Sequence, residues 1–334
     1  MLFKQLMMLL SCSLPLIALE LESDYLQNIR QLTFPENGFE KAGEGYFSPD
    51  GQQIIFQAVP TGEKNYQIYT MDLETLTPHM VSTGKGACTC ANFHPDGTKI
   101  IFASSHEDPE LGNPDFNLSV PGYKRDGGNY AWDFTPYMNI YEANPDGSDL
   151  KALTFGPSYH AECAYSSDGS SIVFASNADG SMNLYTMNQD GSNFFQVTRR
   201  INQETNCYYG GPFFSPDDQQ IIFRADIEKP HYLQIYICNA DGSLTKQMTY
   251  NDAVNWAPYW HPSGQYFCYT TSIHGHHQYE IYLMDVETLE SRRLTYNPTF
   301  DGLGVFSPDG KKMMWTSKRG KDNTSQLFIA DFNM

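Results

Sequence analysis

The chain has 334 residues, 40% of them hydrophobic and 14% aromatic, together with 26 Gly and 19 Pro. That apolar content is ample for a large core, and aromatics punctuated by turn formers favour many short strands over long helices. The formal net charge of −18 argues against a nucleic-acid partner, because phosphate binding is driven by Lys and Arg displacing counterions.

Residues 1–19, MLFKQLMMLLSCSLPLIAL, set one Lys ahead of an apolar run that Ser and Pro interrupt. The run is too short and broken for a membrane span and is expected to be a signal peptide, cleaved near Ala18 to Glu20. Leu-Leu-Ser-Cys ending at Cys12 loosely resembles a lipoprotein signal, but the stretch before it is short, so a periplasmic or secreted protein is favoured over a lipid-anchored one. Six cysteines follow: Cys88, Cys90, Cys163, Cys207, Cys238 and Cys268. An oxidising compartment would let some pair, in a connectivity that spacing does not give. Cys238 and Cys268 lie in apolar strand patterns and read as buried free thiols.

One turn recurs along the rest of the chain: FSPDG at 47–51, FHPDG at 93–97, YSSDG at 165–169, FSPDD at 214–218, WHPSG at 260–264 and FSPDG at 306–310. Successive copies are 46, 72, 49, 46 and 46 residues apart, so the second interval holds an insertion, placed at about 106–136 between two strands of the second unit. Each turn leads into a branched and aromatic run such as QQIIFQA, then into a second run such as QIYTMD, then into a Leu-Thr strand. A unit of about 46 residues thus predicts four strands, a to d. One such sheet cannot bury both faces alone, which predicts an all-β, six-bladed β-propeller over residues 29–334. The sixth unit stops after its third strand, and Ile29-Arg30-Gln31-Leu32-Thr33 supplies the missing one. The N-terminal strand is therefore expected to complete the last blade, removing an open sheet edge. Pro-Asp-Gly and its variants are turn chemistry, and His94 and His261 stand in the Ser position of two such turns.

This topology puts the SPDG and NxDG hairpins on one face. The variable loops fall on the other: the insertion, His231, the crossover 199–211 and the run His274-Gly275-His276-His277. Strand a should be innermost. Counting back three residues from each aromatic that opens the turn gives Glu44, Cys90, Glu162, Gly211, Ala257 and Leu303. Counting back five gives Ala42, Cys88, His160, Tyr209, Asn255 and Asp301. A channel mouth holding Glu44, Cys88, Cys90, His160, Glu162, Asn255 and Asp301 has the donors for a divalent metal ion, with a water-filled acidic channel as the simpler reading. Cys88 and Cys90 alone make half of a zinc pair. Trp132, with Tyr123, Tyr130, Phe134 and Tyr137, could stack on a peptide or glycan, or pack onto its own blade.

FSPDGxxIIF followed by IYxMNxDG and LT resembles the repeat of the TolB-like, WD-like propellers of exported bacterial proteins, over about residues 29–332. The resemblance implies propeller-mediated binding. About ten residues separate the leader from the first strand, so the N-terminal domain that the family's TolB carries is not expected. No Gly-x-Ser-x-Gly elbow occurs, which argues against the peptidase relatives. The expected function is a non-enzymatic, monomeric scaffold that engages an envelope protein or peptide through the channel mouth and loop face. The alternative is a metal-dependent lyase or hydrolase acting on an acidic saccharide. The resemblance to sugar-acid lyases with His ligands makes His274, His276 and His277 candidates for that role.

Overall fold

The computed structural model describes residues 21–113, 123–126, 129–132, 134–198 and 207–334, with side chains for all but 123–126 and 129–132. The expected signal peptide, with Cys12, lies outside them.

Six four-stranded antiparallel sheets form the blades. Blade 1 runs outward from Phe39–Phe47 through Gln53–Pro60 and Gln67–Asp72 to Pro78–Met80. The innermost strands of the other five are Cys88–Phe93, His160–Tyr165, Gly210–Phe214, Asn255–Trp260 and Asp301–Phe306. Each touches the next around the ring, the sixth meeting the first. Strand b lies between two neighbouring sheets, so its apolar run is buried on both sides: Ile54, Ile55 and Phe56 are wholly inaccessible. Blade 6 is closed as expected. Leu26–Gln31 pairs antiparallel with Gln326–Phe332, with Arg30 opposite Ile329 and Gln31 opposite Phe328. Buried Thr33 extends the pairing, its Oγ1 accepting the Leu327 N–H at 2.9 Å.

The turns explain their own sequence. Ser48 Oγ donates to Asp50 Oδ1 at 2.6 Å, and the same bond recurs at Ser166 to Asp168, Ser215 to Asp217 and Ser307 to Asp309. In blades 2 and 5 a His ring replaces the hydroxyl, with His94 Nδ1 2.7 Å from Asp96 Oδ1 and His261 Nδ1 2.8 Å from Ser263 Oγ. Both rings also reach the next blade, packing edge-on against Tyr165 and Phe306. The six described cysteines are all free and buried. Among the described residues no helix is long and apolar enough to cross a membrane.

Every inner strand carries a β-bulge at the same place. Its left-handed residue is Glu44 (φ 46°), Cys90 (φ 55°), Glu162 (φ 56°), Gly211 (φ 59°), Ala257 (φ 48°) or Leu303 (φ 57°). A bulge takes a backbone N–H out of the ladder and leaves it needing a partner. The preceding blade supplies one at four of the six: Thr316 Oγ1 accepts from Glu44, Gln57 Oε1 from Cys90, Thr270 Oγ1 from Leu303, and the Glu162 carboxylate from Gly211.

Candidate functional site

The six bulge residues ring the central channel, which encloses about 320 Å³. Glu44, Cys90 and Glu162 are thus where the count of three places them, and Cys88 lies against the same wall, buried, its thiol donating to Ser104 Oγ at 3.2 Å. The count of five fails for His160, Asn255 and Asp301, because the extra residue of the bulge reverses the alternation of side chains. Those three point away from the channel into buried networks opposite the end of strand b. His160 Nδ1 is 2.9 Å from Ser176 Oγ, and Asn255 Nδ2 donates to Gln234 Oε1 at 2.9 Å. Asp301 Oδ2 accepts from Arg319 Nη2 at 2.7 Å. In some blades a residue four or six before the turn aromatic lines the channel instead: Thr89 and Trp256 at four, Lys41 at six.

Strand b contributes a residue that the motif reading missed. Arg224 clasps Glu162 across the blade 3 to blade 4 boundary, with Nη2 2.9 Å from Oε1 and Nη1 3.0 Å from Oε2. Burial works against the guanidinium charge, but Glu162 outweighs it and Arg224 stays protonated. Glu44 has no such partner. Its carboxyl sits near Glu162, Cys90 and the Tyr46 hydroxyl, and burial pushes it up to about 7. Burial likewise raises the Cys90 thiol well above its ordinary value.

Above the channel, on the loop face, a bowl of about 750 Å³ opens over blades 3 to 6. Glu162, Arg224 and Trp256 belong to both spaces, so bowl and channel are continuous. One wall is aromatic: Trp256 packs on Tyr279 at 6.3 Å and on Phe300 at 6.4 Å between ring centroids. Opposite, Phe134 at the end of the insertion stacks on Tyr208 at 5.9 Å. His276 and His277 line the bowl, whereas His274 turns out to the sheet, its Nε2 2.8 Å from the Tyr282 hydroxyl. The three histidines therefore do not converge. Trp132 ends a hairpin whose side chains lie outside the described residues.

No family model matches the chain. The putative TolB from Agrobacterium tumefaciens superposes with a TM-score of 0.60 at 20% identity, covering 88% of this chain and 91% of that one. The fold is that of a TolB-like β-propeller. The TolB of Acinetobacter baumannii matches this TolB-like ring with a TM-score of 0.59 at 16% identity, over 88% of this chain and 64% of its own. An oligogalacturonate lyase in complex with manganese is also similar, with a TM-score of 0.55 at 16% identity, over 91% and 93%. Among the described residues, however, no three His, Cys, Asp or Glu side chains of this TolB-like propeller are grouped to hold a metal ion. Glu162 is taken by Arg224, and Asp301 and His160 are committed elsewhere.

Proposed function

We propose that the chain is an exported envelope protein whose propeller is a non-enzymatic scaffold, docking a segment of a partner protein in the loop-face bowl. The observation that carries this reading is the pair of facing aromatic walls over a continuous opening: Trp256 and Phe300 on one side, Phe134 and Tyr208 on the other, with Tyr208 40% exposed. Rigid aromatics bury large area at low entropic cost and dominate interface energetics. Six stacked blades hold them in place, so little ordering cost remains at docking. The TolB-like fold and the leader-like residues 1–19 support an envelope location. The lyase reading is weakened by the dispersal of the candidate ligands described above.

A photo-crosslinking residue at Tyr208, in the full chain expressed in its source cells, is expected to trap a discrete envelope protein. The same group at Leu244, 81% exposed on the opposite face, should not. Trp256→Ala should lower the Tyr208 adduct about tenfold with an unchanged melting temperature. Equal labelling from both faces would overturn the proposal.

A further inference from the structure

The charge of the bowl runs against that of the chain. In a molecule of net charge −18, Glu162 is the one carboxylate on the bowl lining among the described residues, and Arg224 already neutralises it. Lys318 lines the bowl and Lys41 the channel just beneath. Both are fixed at the junction by backbone bonds: the Lys318 N–H donates to the Phe300 carbonyl at 3.0 Å, and Ala42, next to Lys41, donates to the carbonyl of bowl residue Ser325 at 2.8 Å. The Lys41 ammonium lies 4.7 Å from the centroid of the Tyr66 ring. Among the described residues neither lysine forms a salt bridge. Burial first, and then the charge of Lys318, lower the Lys41 pKa, so the two ammonium groups feel each other. Glu44, the carboxyl that shares the channel with Lys41, is biased by burial toward its neutral form, so an added anion at the junction of channel and bowl would be stabilised by both lysines.

We infer that this junction binds a carboxylate-bearing peptide segment, its acidic group between Lys41 and Lys318 and its apolar side chains on Trp256 and Phe300. The inference rests on the docking reading above and adds the chemistry of the segment. A peptide fits better than an acidic saccharide because the wall beside the lysines pairs the Trp256 and Phe300 rings with few groups that could hold a sugar's hydroxyls. A sugar's hydroxyls need many amide and carboxylate partners, and the side chains of the lining offer one amide, Asn323, and no carboxylate beyond the paired Glu162.

Selection from a random displayed peptide library on the full chain tests this. Enriched sequences are expected to place Asp or Glu beside an aromatic or branched residue. The synthetic form of one such peptide should lose about tenfold or more in affinity to the double variant Lys41→Met/Lys318→Met, keep it with Lys41→Arg/Lys318→Arg, and weaken with added salt. Enriched peptides that need Trp256 but are neutral or basic, or that ignore the methionine pair, would overturn the inference and leave the docking reading standing. If no enriched peptide depends on Trp256, both fall. Oligogalacturonate runs as a second probe, and tight binding of it at the lysines in place of any peptide would also overturn the inference.

Discussion

The backbone N–H of Glu44 on the first blade donates to Thr316 Oγ1 on the last at 3.0 Å. Inside the ring, Leu303 meets Thr270 Oγ1 in the same way at the same distance. The seam where the chain closes is therefore latched like an internal blade boundary. Thr316→Val keeps the shape and removes the acceptor, leaving a bulge N–H unpaired at a cost of about 1–3 kcal/mol. Thr270→Val should cost the same within about 0.5 kcal/mol, read from urea unfolding. A much cheaper seam variant would mean that the ring is not sealed at blade 6.

Arg319 pairs with wholly buried Asp301 and also reaches Glu22, on the short helix Glu22–Tyr25 that precedes the closing strand, at 2.9 Å. Asp301 accepts a further bond from Trp315 Nε1 at 3.2 Å. Burial raises the Asp301 pKa, and Arg319 is the main opposing influence. Arg319→Met strands a buried carboxylate and is expected to cost about 3–5 kcal/mol at pH 7. A raised folded pKa means that stability is gained as the group protonates, so the cost should shrink when unfolding is measured near pH 4.5. A cost independent of pH would show that Arg319 acts by packing alone.

The repeat made the blade count, the hairpin face and the closing strand readable, because Ser-Pro-Asp-Gly chemistry is local and each turn needs it. The bulge was not readable by period, since positive φ falls on Glu, Cys, Ala and Leu as well as on Gly211. It left one signal. The sixth residue of each b run is Gln57, Ala103, Ala175, Arg224, Thr270 or Thr316, a polar column in four of six otherwise apolar strands. Those four polar side chains are the bulge latches and the partner of Glu162. The bowl was hidden for a different reason. Trp256 comes from the fifth blade, Phe300 and Lys318 flank two strands of the sixth, and no spacing along the chain links them.

Gly211 sits at φ 59°, and a Cβ there would lie 2.5 Å from Arg224 Nη1. Ala257 and Leu303 show that a side chain tolerates this bulge, so the obstacle at Gly211 is the guanidinium rather than the backbone alone. Gly211→Ala is expected to push Arg224 off Glu162 and destabilise the fold by about 2 kcal/mol, within the range for disturbing a buried pair. Arg224→Met/Glu162→Gln, which removes both charges, should make the added Gly211→Ala change cheaper. Strictly additive costs in a double-mutant cycle would separate Gly211 from the pair.

Glu44 supplies a pH dependence of its own. Burial lifts its carboxyl to about 7 in the folded chain, above its ordinary 4.5. The folded state thus holds the proton more tightly than the unfolded one. Its contribution to stability is complete below about pH 4.5 and is lost as the pH rises through 7. Glu44→Gln cannot ionise, so it should match the wild type at pH 4.5 and exceed it at pH 8 by about 1–2 kcal/mol, an amount reduced by water in the channel. Buried Glu280, also lifted to about 7 by burial, contributes in the same direction despite Arg293 Nη2 at 2.6 Å and remains in both proteins. The two unfolding curves should therefore diverge between about pH 4.5 and pH 7 and run parallel above that. Curves that stay parallel from pH 5 to 8 would show that Glu44 is ionised throughout and that the channel is open to bulk water at its floor.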